Sequence, residues 1–347
     1  MKVPNLLSKA VNAISQGHKS PVFAPLTPFR IEPKFVARVW GYTDLRPWYD
    51  FPPAGTATEP CGEVWLSGDE CVIASGPHKG TSLGTLFQQS AHDLLGAASP
   101  SSGSPLLIKV IFAKQKLSVQ VHPDDRLAQK YGEPRGKTEC WYALSAQPDA
   151  KVAAGLKPGT TLDAVRSGIA QGTLEESLNI VPVHAGDMIY VDAGTVHAIW
   201  PGSILLETQQ NSDLTYRMYD YGRPRELHIE KSLEATRPDL DANKVQPVRL
   251  DDRTTLIDKK YFCVERIPVE ASRSSSTLPG PGEPQPGLSY LFAAAGRARL
   301  ASSAFEAVEL DERSIVAVPA SSPAFAVQDL GGLDLLRISP RWPAAAR

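Results

Sequence analysis

The stretch that decides the fold is LSVQVHPDD, residues Leu117 to Asp125, followed after ten residues by GKTECWY, Gly136 to Tyr142. In an extended strand, successive side chains point to opposite faces. The polar face then carries Lys116, Ser118, Gln120 and His122, and the apolar face carries Leu117, Val119 and Val121. A polar row backed by an aliphatic row is typical of a barrel strand whose interior holds a ligand and whose exterior packs on a second layer. The sequence therefore predicts an all-β fold with a polar interior.

Four side chains of this region and of a later one are candidate metal ligands. Gln120 and His122 share the inward face, and Glu139 returns on TECWY, whose β-branched and aromatic residues favour a strand. His197 ends GDMIYVDAGTVH, which predicts a strand from Met188 to Val191, a turn, and a histidine opening the next strand. That segment resembles the second sequence motif of the cupin fold, with Asp192 where the motif has proline. Two imidazoles, a carboxylate and an amide oxygen are a suitable shell for a divalent metal.

Composition excludes several functional classes. The chain has 347 residues, enough for two domains, and its 30 prolines and 26 glycines favour a turn-rich β protein. A net charge of −2, with lysines and arginines scattered, argues against a nucleic-acid partner. No apolar run is long enough for a membrane span, and the four cysteines show no metal-binding spacing. We expect a cytoplasmic protein with reduced cysteines and no membrane partner.

The pattern along the chain predicts three parts. Residues 1–30 form an N-terminal extension with helical spacing of apolar residues, 31–240 form the metal-binding domain, and 241–347 form a smaller β domain. All seven histidines lie at or before position 228, so the last part has none to offer a metal. Strands are predicted at 35–41, 60–66, 70–75, 106–113, 116–122, 151–156, 188–191, 203–209, 261–267, 288–294, 307–310, 314–318 and 333–338. Helices are predicted at 81–95, at 161–168, at 174–178 and after Pro123, which fits the first helical position, with Asp124 and Asp125 in the first turn in a capping role.

Several separate motifs, in order, resemble one enzyme family over about residues 35–235. They are Val39-Trp-Gly41, Gly62-Glu-Val-Trp65, Ser118 to Asp125, Gly136 to Trp141, Gly194-Thr-Val-His197 and Glu207 to Arg217. Together they resemble the class I mannose-6-phosphate isomerases of the shorter bacterial type. The resemblance implies a cupin, or double-stranded β-helix jelly roll, with two β-barrel-like domains and a few short helices. It also implies a zinc ion and a small-molecule phosphosugar substrate, mannose 6-phosphate or fructose 6-phosphate.

The resemblance carries roles to individual residues. It makes Gln120, His122, Glu139 and His197 the zinc shell, Arg217 an active-site residue, and Glu207 and Lys137 participants. Isomerisation between C1 and C2 through an enediolate needs a base, for which Glu207 is the candidate. Ser118 and Lys116, on the inward face, are candidates for contacting the phosphate.

Other interpretations of the same residues are open at this point. Glu207 and Arg217 can instead form a structural ion pair, and Lys137 can be a solvated lysine. Two histidines and a carboxylate in a cupin also describe a non-haem iron oxygenase, and the same fold suits a sugar-phosphate-binding protein without turnover. The sequence does not define the oligomeric state.

Overall fold

The computed structural model describes residues 26–53, 59–96, 103–240, 242–269, 276–278 and 287–341. The helix predicted near the N-terminus, from about Leu6 to Ile14, lies outside these residues. The strands are β1 (Phe29–Arg30), β2 (Lys34–Tyr42), β3 (Cys61–Trp65), β4 (Leu106–Phe112), β5 (Val119–Val121), β6 (Glu139–Ala146), β7 (Lys151–Leu156), β8 (Leu178–Pro182), β9 (Met188–Val191), β10 (His197–Ile199), β11 (Ser203–Gln210), β12 (Tyr216–Tyr219), β13 (Val248–Arg249), β14 (Thr254–Asp258), β15 (Phe262–Ile267), β16 (Ser276–Leu278), β17 (Ser289–Ser302), β18 (Phe305–Leu310), β19 (Ile315–Val318) and β20 (Phe325–Pro340). The helices are α1 (Leu83–Leu95), α2 (Asp125–Lys130), α3 (Leu162–Gln171) and α4 (Ile229–Ala235), with a 3₁₀ turn at Leu174–Ser177.

Two antiparallel sheets form the first barrel. One has the strand order β2-β3-β4-β11-β6-β9, and the other has the order β12-β5-β10-β7-β8. Apolar side chains from both sheets meet in one core, which includes Ile111, Trp141 and Leu205 from the first sheet and Val152 and Ile199 from the second. This arrangement is a cupin jelly roll, so the predicted all-β fold is confirmed.

The short strand β5 has the two faces that its sequence predicts. Val119 and Val121 pack on the outer side of their sheet in a separate core that contains Val165 of α3 and Leu233 of α4. Gln120 lies between them and turns its side chain toward the barrel interior, where it borders a cavity. The apolar alternation thus anchors the strand to the helical layer and leaves the polar face inside.

A second sheet system follows the first barrel. Its strand order is β1-β19-β17-β20-β15-β14-β13, with β18 on β17 and β16 on β20. Phe262 and Phe292 of this sheet share a core with Val110 and Leu206 on the outer face of the six-stranded sheet. The strand β1 pairs with β19, so residues placed by sequence at the end of the N-terminal extension join the C-terminal sheet. The predicted division at residue 241 stays a prediction.

Two predictions near the starts of α1 and α2 were wrong. Residues 70–75 form only isolated bridges, because their backbone groups bond to Arg30 and Glu32 on one side and to Thr81 and Leu83 on the other. Pro123 precedes α2 rather than beginning it, since Asp124 caps the helix by accepting a hydrogen bond from the Leu127 amide. The capping role is thereby confirmed for Asp124, whereas the carboxylate of Asp125 accepts hydrogen bonds from Gly136, Gln210 and Tyr261 instead.

Two further observations concern cellular context. In the parts of the chain that the structure describes, no helix has the length and apolarity needed to cross a bilayer. All four cysteines are buried and free of disulfides. The cytoplasmic location stays a prediction.

Candidate active site

Three of the four predicted ligands converge inside the first barrel. Glu139 opens β6, His122 follows β5 and His197 opens β10. The carboxylate oxygens of Glu139 lie 3.5 Å from His122 Nε2 and 3.4 Å from His197 Nε2. All three side chains are buried, and their donor atoms lie within 4.8 Å of one another. This geometry suits one small cation held by two nitrogens and a carboxylate.

Both imidazoles are oriented for that role by the backbone. His122 Nδ1 lies 2.8 Å from the carbonyl oxygen of Leu214, and His197 Nδ1 lies 2.8 Å from that of Thr195. A carbonyl accepts only, so each Nδ1 carries the proton and each Nε2 presents a lone pair. Burial lowers the pKa of His197 to about 4 and that of His122 well below its ordinary value, so both rings are neutral near pH 7. His122 Nε2 is buried with no hydrogen-bond partner among the described residues, and a metal ion would satisfy it.

Gln120 lies beside this group, paired in register with His197. Its amide nitrogen lies 3.2 Å from His197 Nε2, and its Oε1 accepts from Ser118 Oγ at 3.3 Å. The amide nitrogen of Gln120 therefore donates to the same lone pair of His197 Nε2 that would bind a metal ion. Rotating the amide group by half a turn would place its oxygen there instead, and oxygen is the atom of the amide that binds a cation.

Glu207 lies on β11 in the same cavity, between two buried lysines. Its Oε1 is 3.2 Å from Lys109 Nζ and 3.8 Å from Lys137 Nζ. Burial, followed by repulsion from Glu139, raises the pKa of Glu207 to about 7 despite both lysines. Lys137 also lies 3.2 Å from Glu139, and only 4% of its side chain is exposed, which rules out the solvated lysine considered from the sequence.

Arg217 lies on β12 of the five-stranded sheet, in register with Gln120 on the neighbouring strand β5, whereas both acids lie on the six-stranded sheet. Its Nη1 donates to the carbonyl oxygen of Glu226 at 2.7 Å, and its Nε is buried with no hydrogen-bond partner among the residues that the structure describes. The carboxylate of Glu207 pairs with Lys109 and Lys137 instead, so the alternative of a Glu207–Arg217 ion pair is not realised in the described structure.

The cavity that these residues line has a volume of about 290 Å³. Ser118 lines it as predicted, but Lys116 does not. The regular strand begins only at Val119, so the predicted alternation does not extend back to Lys116. Its Nζ lies 2.8 Å from Glu175 Oε1 outside the cavity, and it packs over the rings of Trp200 and Tyr221.

Sequence analysis gave no role to five charged residues of the cavity, which are Arg38, Glu63, Lys109, Asp213 and Arg225. Lys109 stands in β4, LLIKVIF, where every other residue is apolar and buried. A single charge in a buried strand is a signal that was available, because such a group needs a partner or a function. Glu63 lies within the motif Gly62 to Trp65, but the motif gave it no role. Nothing in the sequence around Arg38 distinguishes it from a solvent-exposed arginine of a strand.

This jelly roll gathers two histidines and a glutamate in its interior, beside a second glutamate whose pKa is raised to about 7. These features define a cupin with a candidate metal site and a candidate group for proton transfer. Comparison with known proteins narrows this class. The family model described as "Phosphomannose isomerase type I, catalytic domain" matches residues 28–154. Mannose-6-phosphate isomerase ManA of Bacillus subtilis is 39% identical over 263 residues, which are 71% of this chain and 81% of that protein. Mannose-6-phosphate isomerase of Streptococcus mutans is 36% identical over 261 residues, covering 71% of this chain and 80% of that protein.

A solved structure gives the same result for the fold. The crystal structure of mannose 6-phosphate isomerase from Bacillus subtilis superposes with a TM-score of 0.78 at 28% identity, covering 90% of this chain and 99% of that one. This chain belongs to the phosphomannose isomerase type I family and is an isomerase, as the sequence motifs predicted.

Proposed function

We propose that this chain interconverts mannose 6-phosphate and fructose 6-phosphate, using one zinc ion per chain held by Gln120, His122, Glu139 and His197. The observation that carries the proposal is that Glu207, with a pKa of about 7, lines the same cavity as Glu139, which is one of the three converging donors, and as Gln120 beside them. A site with metal-binding donors alone would suit many cupins. The added base and flanking cations suit proton transfer on an anionic sugar.

Zinc is the metal that the donor set favours. Neutral imidazole nitrogens and a carboxylate are common zinc ligands. Catalytic zinc sites with such ligands keep one coordination position open for water or substrate. The backbone carbonyls that fix both Nδ1–H groups are the kind of outer partners that metal-ligating histidines use. When bound, zinc would polarise an oxygen of the substrate or order the site.

Glu207 is the proposed general base. Isomerisation moves a proton between C2 and C1, and a base works best when its pKa lies near the operating pH. Burial and the charge of Glu139 give Glu207 that property. Lys109 and Lys137 keep the carboxylate in place from two sides and offer positive charge where the substrate oxygens become negative.

Arg217 is the proposed contact for an anionic group of the substrate. Five cationic residues line the cavity, and four of them contact a carboxylate: Arg38, Lys109, Lys137 and Arg225. Arg217 makes no ion pair among the described residues, so its guanidinium is available to a phosphate or an enediolate. Ser118 adds a hydroxyl at the cavity wall.

A coupled assay tests the proposal. Protein loaded with zinc should convert mannose 6-phosphate to fructose 6-phosphate, and activity should disappear with a chelator and return when zinc is restored. Purified, zinc-loaded protein that leaves mannose 6-phosphate unchanged would contradict it.

A further inference from the structure

Glu63 is a second buried carboxylate in the cavity wall, and the mechanism above gives it no part. It lies on β3, with 6% of its surface exposed. Its Oε2 accepts hydrogen bonds from Arg38 Nη2 at 3.0 Å and from Trp65 Nε1 at 2.8 Å. Two side chains, one from β2 and one from β3, therefore fix one end of this carboxylate.

The other oxygen of Glu63 faces Lys109. Glu63 Oε1 lies 3.5 Å from Lys109 Nζ, and Glu207 Oε1 lies 3.2 Å from the same nitrogen on the opposite side. Only 3% of Lys109 is exposed. Burial alone would raise the pKa of Glu63, yet Lys109 and Arg38 hold it at about 2, so the carboxylate stays charged. Lys109 is thus an ammonium held between two carboxylates.

We propose that Glu63 is a positioning residue of the isomerase, which acts by holding the Lys109 ammonium against Glu207 and toward the substrate. This inference rests on the proposed function. A lysine side chain has a flexible four-carbon stem, so its charge has no fixed place unless neighbours supply one. The ammonium carries three N–H donors. The two carboxylates attract the ammonium from two sides, and Lys109 also lines the cavity, where its charge can meet an oxygen of the bound molecule.

Glutamine at position 63 would disturb this arrangement without emptying the space. Its amide oxygen can still accept from Trp65 and Arg38, but its NH₂ group would then face the donors of Lys109. The ammonium would lose one of its two fixed partners, and Arg38 and Lys109 would no longer share a negative charge between them. Glu63 contacts none of the residues proposed to hold zinc, so metal binding should not change.

The test compares Glu63→Gln and Glu63→Asp with a matched control. Glu265 is also a buried glutamate with two charged hydrogen bonds, from Arg337 Nε at 2.9 Å and from Arg253 Nη1 at 3.4 Å, but it lies in the C-terminal sheet, away from the cavity. We expect Glu63→Gln to lower kcat on mannose 6-phosphate roughly 10- to 100-fold, as small misplacements of reacting groups do, with KM little changed. Zinc content, measured by mass spectrometry, should equal that of the wild type. Glu63→Asp keeps the charge at a shorter reach and should recover part of kcat.

The control separates positioning from simple stability. Glu265→Gln should lower the melting temperature and leave kcat per folded molecule unchanged. Wild-type kcat in Glu63→Gln, or loss of its activity only in proportion to lost zinc or lost folded protein, would overturn the inference. If the glutamine variant does not fold, wild-type kcat in Glu63→Asp overturns it. An inactive wild-type enzyme refutes the proposed function and this inference together, whereas an active wild type with an unaffected Glu63→Gln refutes the inference alone.

Discussion

Replacing Glu207 by glutamine is the most direct probe of the proposed chemistry. Glutamine keeps the size of the side chain and one acceptor oxygen between Lys109 and Lys137, which lie 3.2 and 3.8 Å from Glu207 Oε1. The variant therefore loses the capacity to accept a proton while the cavity keeps its shape. A positioned general base contributes about 10²- to 10⁴-fold to a rate. The corresponding rise in the activation free energy is about 3 to 5 kcal/mol.

Three measurements together decide the outcome. kcat is measured by coupling fructose 6-phosphate formation to a dehydrogenase, zinc by mass spectrometry, and proton abstraction by the uptake of deuterium at C2 of mannose 6-phosphate in D₂O. We expect Glu207→Gln to retain zinc, to lose kcat by the stated factor and to stop deuterium uptake. Glu265→Gln serves again as a control for the loss of a buried carboxylate. A zinc-loaded Glu207→Gln variant that still exchanges the C2 proton at the wild-type rate would show that the base is another residue.

Four further substitutions test other parts of the site. His122→Ala and His197→Ala should each lose zinc on dialysis against a mild chelator, because each removes one of three converging donors; undiminished zinc in both would refute the metal assignment. Arg217→Ala should keep its zinc and lose about 100-fold in kcat/KM, as expected for removal of a group that stabilises developing negative charge; a parallel loss of zinc would place Arg217 in the metal shell. Lys116→Ala should leave KM for mannose 6-phosphate unchanged, because its ammonium pairs with Glu175; a marked rise in KM would return Lys116 to the substrate site.

Much of the barrel could be predicted from sequence because its strands have two distinct faces. The alternation around Gln120 specified which side chains point inward, and the strand-turn-histidine pattern before His197 specified the next ligand. These signals are local, since each depends on residues a few positions apart. The structure places both segments as predicted, with His197 and Gln120 directly opposed on neighbouring strands.

The remaining parts of the site depend on contacts distant in sequence. Lys109 precedes its partner Glu207 by nearly a hundred residues, and only the pairing of β4 with β11 brings them together. Lys116 was placed wrongly for a different reason. The alternation of side chains was extended back to Lys116, but the regular strand begins only at Val119. The strand predicted at residues 70–75 is not a regular strand, because its backbone groups bond to three separate places, at residues 30–32, at residues 80–81 and at Leu83. β-propensity describes single residues and carries no information about these distant partners.

The pairing of Phe29–Arg30 with β19 has a consequence for anyone who wishes to divide the molecule. A recombinant fragment that ended before the C-terminal sheet would leave Phe29 without its strand partner and would uncover Val110 and Leu206, which are buried against Phe262 and Phe292 in the intact chain. Exposed aliphatic strands of this kind invite aggregation. The two halves are therefore best expressed as one polypeptide, even though all the side chains proposed for catalysis come from the first.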